Sequence, residues 1–111
     1  MDLSKELIKG NLSLIILKLL ESHGEMYGYQ MSSKIKALSK GVIDIKFGSL
    51  YPALHRLKTN GIVEVRESFE GPRKRIYYSL SREGELKTQD WTGQFLDFFD
   101  VMKIFMNLKP V

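Results

Sequence analysis

His55 and Arg56 stand behind a leucine stripe, the position from which a helix presents polar groups to a partner. In Phe47-Gly48-Ser49-Leu50-Tyr51-Pro52-Ala53-Leu54-His55-Arg56-Leu57, the residues Leu50, Leu54 and Leu57 recur four and three apart, the spacing of one helix face. At about 100° per residue the opposite side carries Gly48, Ser49, Pro52, His55, Arg56 and Thr59. Small residues at its start let the helix N-terminus approach a phosphate, where free amides and the helix dipole favour an anion. His55 and Arg56 are candidates for base edges in a DNA major groove. Arg56 is the better suited, because a guanidinium pairs with guanine through two parallel hydrogen bonds. An ordinary amphipathic helix with a solvated face gives the same pattern, so this segment alone leaves both readings open.

A second cationic group supports the nucleic-acid reading. Gly71-Pro72-Arg73-Lys74-Arg75 sets three cations beside a tight turn. Holding like charges together has a repulsive cost, which phosphate contacts in or beside a minor groove would offset. Lys and Arg also protect edge strands from pairing. Three of them at one tip, soon after a short polar-faced helix, favour phosphate. The charge partition agrees. The chain carries +4 overall, yet residues 1–33 hold three basic and four acidic groups, residues 34–75 ten and four, and residues 76–111 four and five. All the excess positive charge lies in the middle third, the footprint of a phosphate-binding face.

Catalysis has no candidate residues. The absence of cysteine excludes disulfides and thiolate metal sites. The only histidines, His23 and His55, are far apart, and no serine or acid is spaced around either to suggest a triad or a metal cage. No catalytic residue, cofactor or metal is expected. Lys5, Glu6, Lys9 and Lys18 interrupt the apolar start, so no run approaches the roughly 18 residues of a membrane span. No small-residue cleavage site follows it. A cytoplasmic protein without membrane contact is expected.

The elements that position these residues follow from periodicity. A first helix over 4–22 has Leu7, Leu14 and Leu17 at helical spacing and ends at His23-Gly24, with Gly24 suited to a left-handed cap. A second runs over 28–38. Val42 to Ile45 is a brief strand or an extended connector. A third starts near Gly48-Ser49, with Ser49 as N-cap and Pro52 in the first turn, where no amide partner is lost. Two strands, 62–69 and 73–80, flank Glu70-Gly71-Pro72 as a hairpin. Val63, Val65 and Phe69 alternate on one side, and Ile76, Tyr78 and Leu80 alternate in the second strand. A last helix runs over 82–108 with Ser81 as its cap. The fold class is mostly α with a small β-hairpin, a winged helix-turn-helix over 1–80 followed by a long C-terminal dimerisation helix over 81–111.

Dimerisation is read from the last helix. Trp91, Phe95, Phe98, Met102 and Phe105 are spaced four, three, four and three, a heptad seam widened by Leu96, Phe99 and Met106. A chain of 111 residues has little core to cover so many aromatics, and the same helix of a second copy is the natural cover.

These segments together resemble the PadR family of bacterial transcriptional regulators. The carrying residues are Tyr27-Gly28-Tyr29, then Gly48 to Leu57, Asn60-Gly61-Ile62-Val63, and Gly71-Pro72-Arg73-Lys74-Arg75-Ile76-Tyr77-Tyr78-Ser79-Leu80-Ser81-Arg82-Glu83-Gly84. The resemblance spans residues 5 to about 100. It implies a winged helix, a dimerising C-terminal helix and repression as the usual role. It implies that Ser49, Tyr51, Arg73, Lys74 and Arg75 contact the DNA backbone, with Tyr27 a further candidate. For Tyr29, a ring filling the groove between the second and third helices is the expectation.

A branch of that family answers to drugs. There, paired tryptophans sandwich flat cationic aromatic compounds in a pore at the dimer centre. By ungapped alignment, Leu7, Gly10, Ser13 and Leu14 from the first helix, and Trp91, Gln94, Phe95 and Phe98 from the last, would line that pore or else the dimer interface. Phe95 stands where that branch has an acid, a departure that speaks against cation recognition. The expected function is a dimeric repressor of an inverted-repeat operator on double-stranded DNA, released by a small planar aromatic effector. A winged-helix module that binds protein instead is the alternative.

Overall fold

Seven elements form in the computed structural model, which describes residues 1–111. They are α1 (Lys5–His23), β1 (Met26–Tyr27), α2 (Gly28–Leu38), α3 (Phe47–Thr59), β2 (Val63–Glu70), β3 (Arg73–Leu80) and α4 (Arg82–Met106). Four helices and one small antiparallel sheet make the expected winged-helix class. Ser4 starts α1 by accepting the Leu7 amide at 3.1 Å. Gly24 ends it at φ +75°, its amide donating to Leu20 O at 2.9 Å, with a ψ of −149° that is extended and not the left-handed helical value expected.

The core lies where α1, α2 and α3 meet the sheet. Ile16 and Leu17 of α1, Met31 of α2, and Leu50 and Leu54 of α3 are fully buried. Each such side chain contributes about 1.5–3 kcal/mol on leaving water. Leu57 joins them, so the leucine stripe faces inward as its spacing requires.

Three local expectations are corrected, and the choice between strand and connector over 42–45 falls to the connector. Ser49 is not the cap of α3. Lys46 is extended (φ −81°, ψ 153°), and its carbonyl accepts both Ser49 N and Leu50 N at 3.0 Å, which starts the helix at Phe47. Pro52 therefore sits in the second turn and leaves the Gly48 carbonyl without its usual amide, on an exposed face where water can serve it. Val42 to Ile45 is a connector with no strand, held as Ser39 Oγ accepts the Ile43 amide at 2.9 Å while Ile45 is buried. Phe69 keeps its strand phase but is exposed. It pairs with Lys74 at the hairpin tip, while burial is confined to the Val63–Leu80 and Val65–Tyr78 end.

The sheet holds a third strand that two residues of sequence could not announce. Met26 pairs with Tyr78 and Tyr27 with Tyr77, giving the order β1-β3-β2. This ties the start of α2 to the hairpin. Helix α4 is tied to the same end of the domain. Ser81 Oγ accepts the Gly84 amide at 2.9 Å and donates to Gly61 O at 2.6 Å. Gly84 lies so close to the Ile62 carbonyl that a Cβ there would overlap it. Thr88, fully buried, donates to Gly84 O at 2.7 Å. Beyond these two residues no position of α4 is buried, and the helix ends at Met106, two residues short of expectation.

Candidate nucleic-acid interface

Inward leucines turn a polar face of α3 outward. Gly48, Ser49, Pro52, His55, Arg56 and Thr59 are all exposed. The face is not uniform. Tyr51, His55 and Lys58 line a groove of about 300 Å³ against Val65, Glu67, Ile76 and Tyr78 of the hairpin. Arg56 lies about 100° round the helix from His55, on the flank away from that groove. Burial, and secondarily Tyr51, push the Tyr78 phenol above its ordinary value, so it stays protonated in this groove.

The start of α2 is built around Tyr51. A Cβ on Gly28 would meet Tyr51 Oη at 2.7 Å, so glycine there lets the ring lie across the helix N-terminus. Tyr27 turns the other way. Its ring meets the Tyr77 edge at 5.5 Å, and the Arg75 guanidinium lies 4.6 Å over its face. Tyr29 does not fill the groove between α2 and α3. It is 62% exposed, with its ring 6.5 Å from Phe47, because α2 places Met31 and Ile35 inward and Tyr29 falls on the opposite side. Phe47 in turn stacks on Tyr51 at 5.5 Å. Phe47 continues the leucine stripe at the spacing Phe47, Leu50, Leu54, Leu57, so the sequence reads it as core, and its exposure follows only from its place at the very start of α3.

Pairing divides the ten cations of residues 34–75 into two equal groups. Lys36 and Lys46 pair with Asp44 at 3.8 and 3.2 Å, Arg66 with Glu25 at 2.6 Å, Lys74 with Glu67 at 2.9 Å and Arg75 with Glu70 at 3.1 Å. Hydrogen bonding to Arg66 holds the Glu25 carboxyl below its ordinary range, and Lys46 does the same for Asp44. Lys34, Lys40, Arg56, Lys58 and Arg73 have no carboxylate within 4.0 Å. The repulsion expected among Arg73, Lys74 and Arg75 is thus already relieved within the hairpin. Register brings Glu67 and Glu70 diagonally opposite Lys74 and Arg75. Exposed pairs of this kind are worth about 0–1 kcal/mol, so phosphate can displace them. Arg73 needs no displacement.

The residues expected around Trp91 separate. An apolar groove of about 670 Å³ opens between α1, the end of α2 and α4. Leu14 and Phe95 line it, and the other six do not. Trp91 is half-buried against the chain's own core. Gln94 donates to Asp90 at 2.9 Å, and Leu7, Gly10 and Phe98 are exposed while Ser13 is half-buried. On the seam, Met102 is half-buried and Phe105 exposed. No three His, Cys, Asp or Glu side chains converge, and no helix is long and apolar enough to cross a membrane.

Residues 16–90 match the model of the transcriptional regulator PadR-like family. The chain superposes on a transcriptional regulator from Clostridium thermocellum with a TM-score of 0.84 at 30% identity, over 91% of this chain and 98% of that one. A PadR family transcriptional regulator from Eggerthella lenta gives 0.80 at 26% identity, over 94% and 88%. Bacillus subtilis PadR, solved in complex with operator DNA, gives 0.66 at 25% identity, over 90% of this chain and 49% of that one.

Proposed function

The chain belongs to the PadR-like family of transcriptional regulators, and from that premise we propose that it is a cytoplasmic, homodimeric repressor that binds an inverted repeat in double-stranded DNA. Residues 1–80 form the DNA-reading unit and residues 81–111 the dimerising one. The observation that carries the proposal is the division of the cations. Arg56, Lys58 and Arg73 are free of carboxylates and belong to α3 and the hairpin tip, the two elements a winged helix brings to DNA. A relative solved in complex with operator DNA supports DNA as the partner. In this reading α3 enters the major groove. Arg56 and His55 face base edges, and Ser49, Tyr51, Arg73, Lys74 and Arg75 lie along phosphates. Tyr27 acts behind them, by holding Arg75.

The proposal expects salt-sensitive binding to a duplex from the chain's own promoter region. Fluorescence anisotropy at two salt concentrations measures it. Equal weak binding of every duplex, or none, would instead favour the protein-interaction module.

Release by a planar aromatic effector is the last part of the reading. Leu14 and Phe95 in the apolar groove are its support, and Trp91 is the reporter, being the only tryptophan. A broad panel of planar aromatic compounds should include one that changes Trp91 fluorescence. No change across the panel leaves Trp91 as packing alone.

A further inference from the structure

Beside the outward face of α3, a strip of three exposed aromatic rings crosses from the start of α2 to the start of α3. Tyr29, Phe47 and Tyr51 are 62%, 46% and 46% exposed, and successive centroids lie 6.5 and 5.5 Å apart. Phe47, which has no polar atom, stands half-exposed at the first position of α3. Its neighbour Gly48 has no side chain and Pro52 a short one, so the Phe47 ring is the largest apolar group projecting at this end of the helix. Free cations flank the strip on both sides. Lys34 shares a surface groove with Tyr29, and Lys58 shares one with Tyr51, and neither has a carboxylate partner. An apolar centre between two unpaired cations matches the floor of a major groove, where phosphates lie on either side and the one apolar group on a base edge is the thymine C5-methyl. Recognition helices present their N-terminal residues to base edges, and Phe47 is the first residue of α3.

We propose that Phe47, held in place by Tyr29 and Tyr51, reads a thymine methyl in each half-site. This rests on the DNA-binding reading above. It adds that one position is specified by apolar contact and not by a hydrogen bond.

The test begins with the full chain and a randomised duplex library, from which the preferred duplex is selected. Each thymine is then replaced by deoxyuridine, which removes the methyl and keeps the pairing. At one position per half-site the replacement should weaken binding by about fourfold, the transfer free energy of one apolar carbon. Phe47→Ala should weaken the thymine duplex and erase the difference between thymine and uracil there. Phe47→Leu should keep part of it, which also serves if the alanine variant fails to fold. Uracil tolerated at every position by the wild type overturns the proposal. So does a uracil penalty that persists in Phe47→Ala, or an unchanged duplex affinity in that variant, which would point to a protein partner on the strip. A Phe47 that merely stabilises the fold would lower the melting temperature and weaken all duplexes alike without telling thymine from uracil. Failure to select any duplex overturns the regulator reading itself, and this inference with it, and is a separate outcome from selection without methyl dependence.

Discussion

Arg73 and Lys74 are adjacent at the hairpin tip, but only Arg73 is without a partner. Lys74 is held 2.9 Å from Glu67, and Arg75 is held by Glu70 and the Tyr27 face. A phosphate must displace a carboxylate to reach Lys74, while Arg73 releases only water and counterions. Arg73→Ala should therefore weaken binding to all duplexes alike and flatten the dependence of log affinity on log salt by about one unit. Lys74→Ala should flatten it by less than half as much, since Glu67 is set free at the same time. Affinity measured across a salt series decides. A larger change for Lys74→Ala would show that the Glu67 pair does not persist in solution. At this scale the sequence was legible where local periodicity governs. The outward set Gly48, Ser49, Pro52, His55 and Arg56 follows from the phase of three leucines. The ion pairs were not legible, because the two in the hairpin are diagonal contacts that need its exact register and Arg66–Glu25 joins residues 41 apart along the chain.

The elements that carry the face depend on two close approaches. Gly28 admits the Tyr51 ring at the start of α2, and Gly84 admits the Ile62 carbonyl at the start of α4. The second joins the winged-helix unit to the helix beyond it. Gly84→Ala must push α4 off the Gly61-Ile62 turn and strain the Ser81 bonds to Gly61 and Gly84. It should destabilise the protein by about 1–3 kcal/mol, the usual cost of overpacking, and lower the melting temperature by several degrees. A melting temperature within about a degree of wild type would contradict this packing. The bounds of α2 and β3 were readable from the sequence because each has a clear period and a turn at its end. The cap of α3 lies three residues before Ser49 because Lys46 caps through its backbone alone, which leaves no side-chain signature. Strand β1 has no sequence signature, because two residues cannot show a period of two.

The whole molecule is longer than a chain of this size needs to be. Its radius of gyration is 16.0 Å and its extents are 64 × 30 × 21 Å. A compact chain of this length would have a radius near 13 Å. The excess is α4, on which Leu86, Phe95, Leu96, Phe98, Phe99, Val101, Ile104, Phe105 and Met106 are all exposed. Nine large apolar side chains on one 25-residue helix form a surface that monomeric proteins rarely leave in water. The heptad spacing announced this face, and the proposed dimer covers it. What sequence could not place was Trp91, which turns inward because α4 is still clamped to the core at Thr88, one turn earlier. Two copies joined by α4 would carry two α3 helices related by a two-fold axis, and a two-fold reader must touch DNA twice. Hydroxyl-radical footprinting of the selected duplex tests this directly. The account predicts two equivalent protected patches, centred about 10 base pairs or a multiple of that apart and related by the symmetry of an inverted repeat. A single patch, or uniform protection without symmetry, would contradict it.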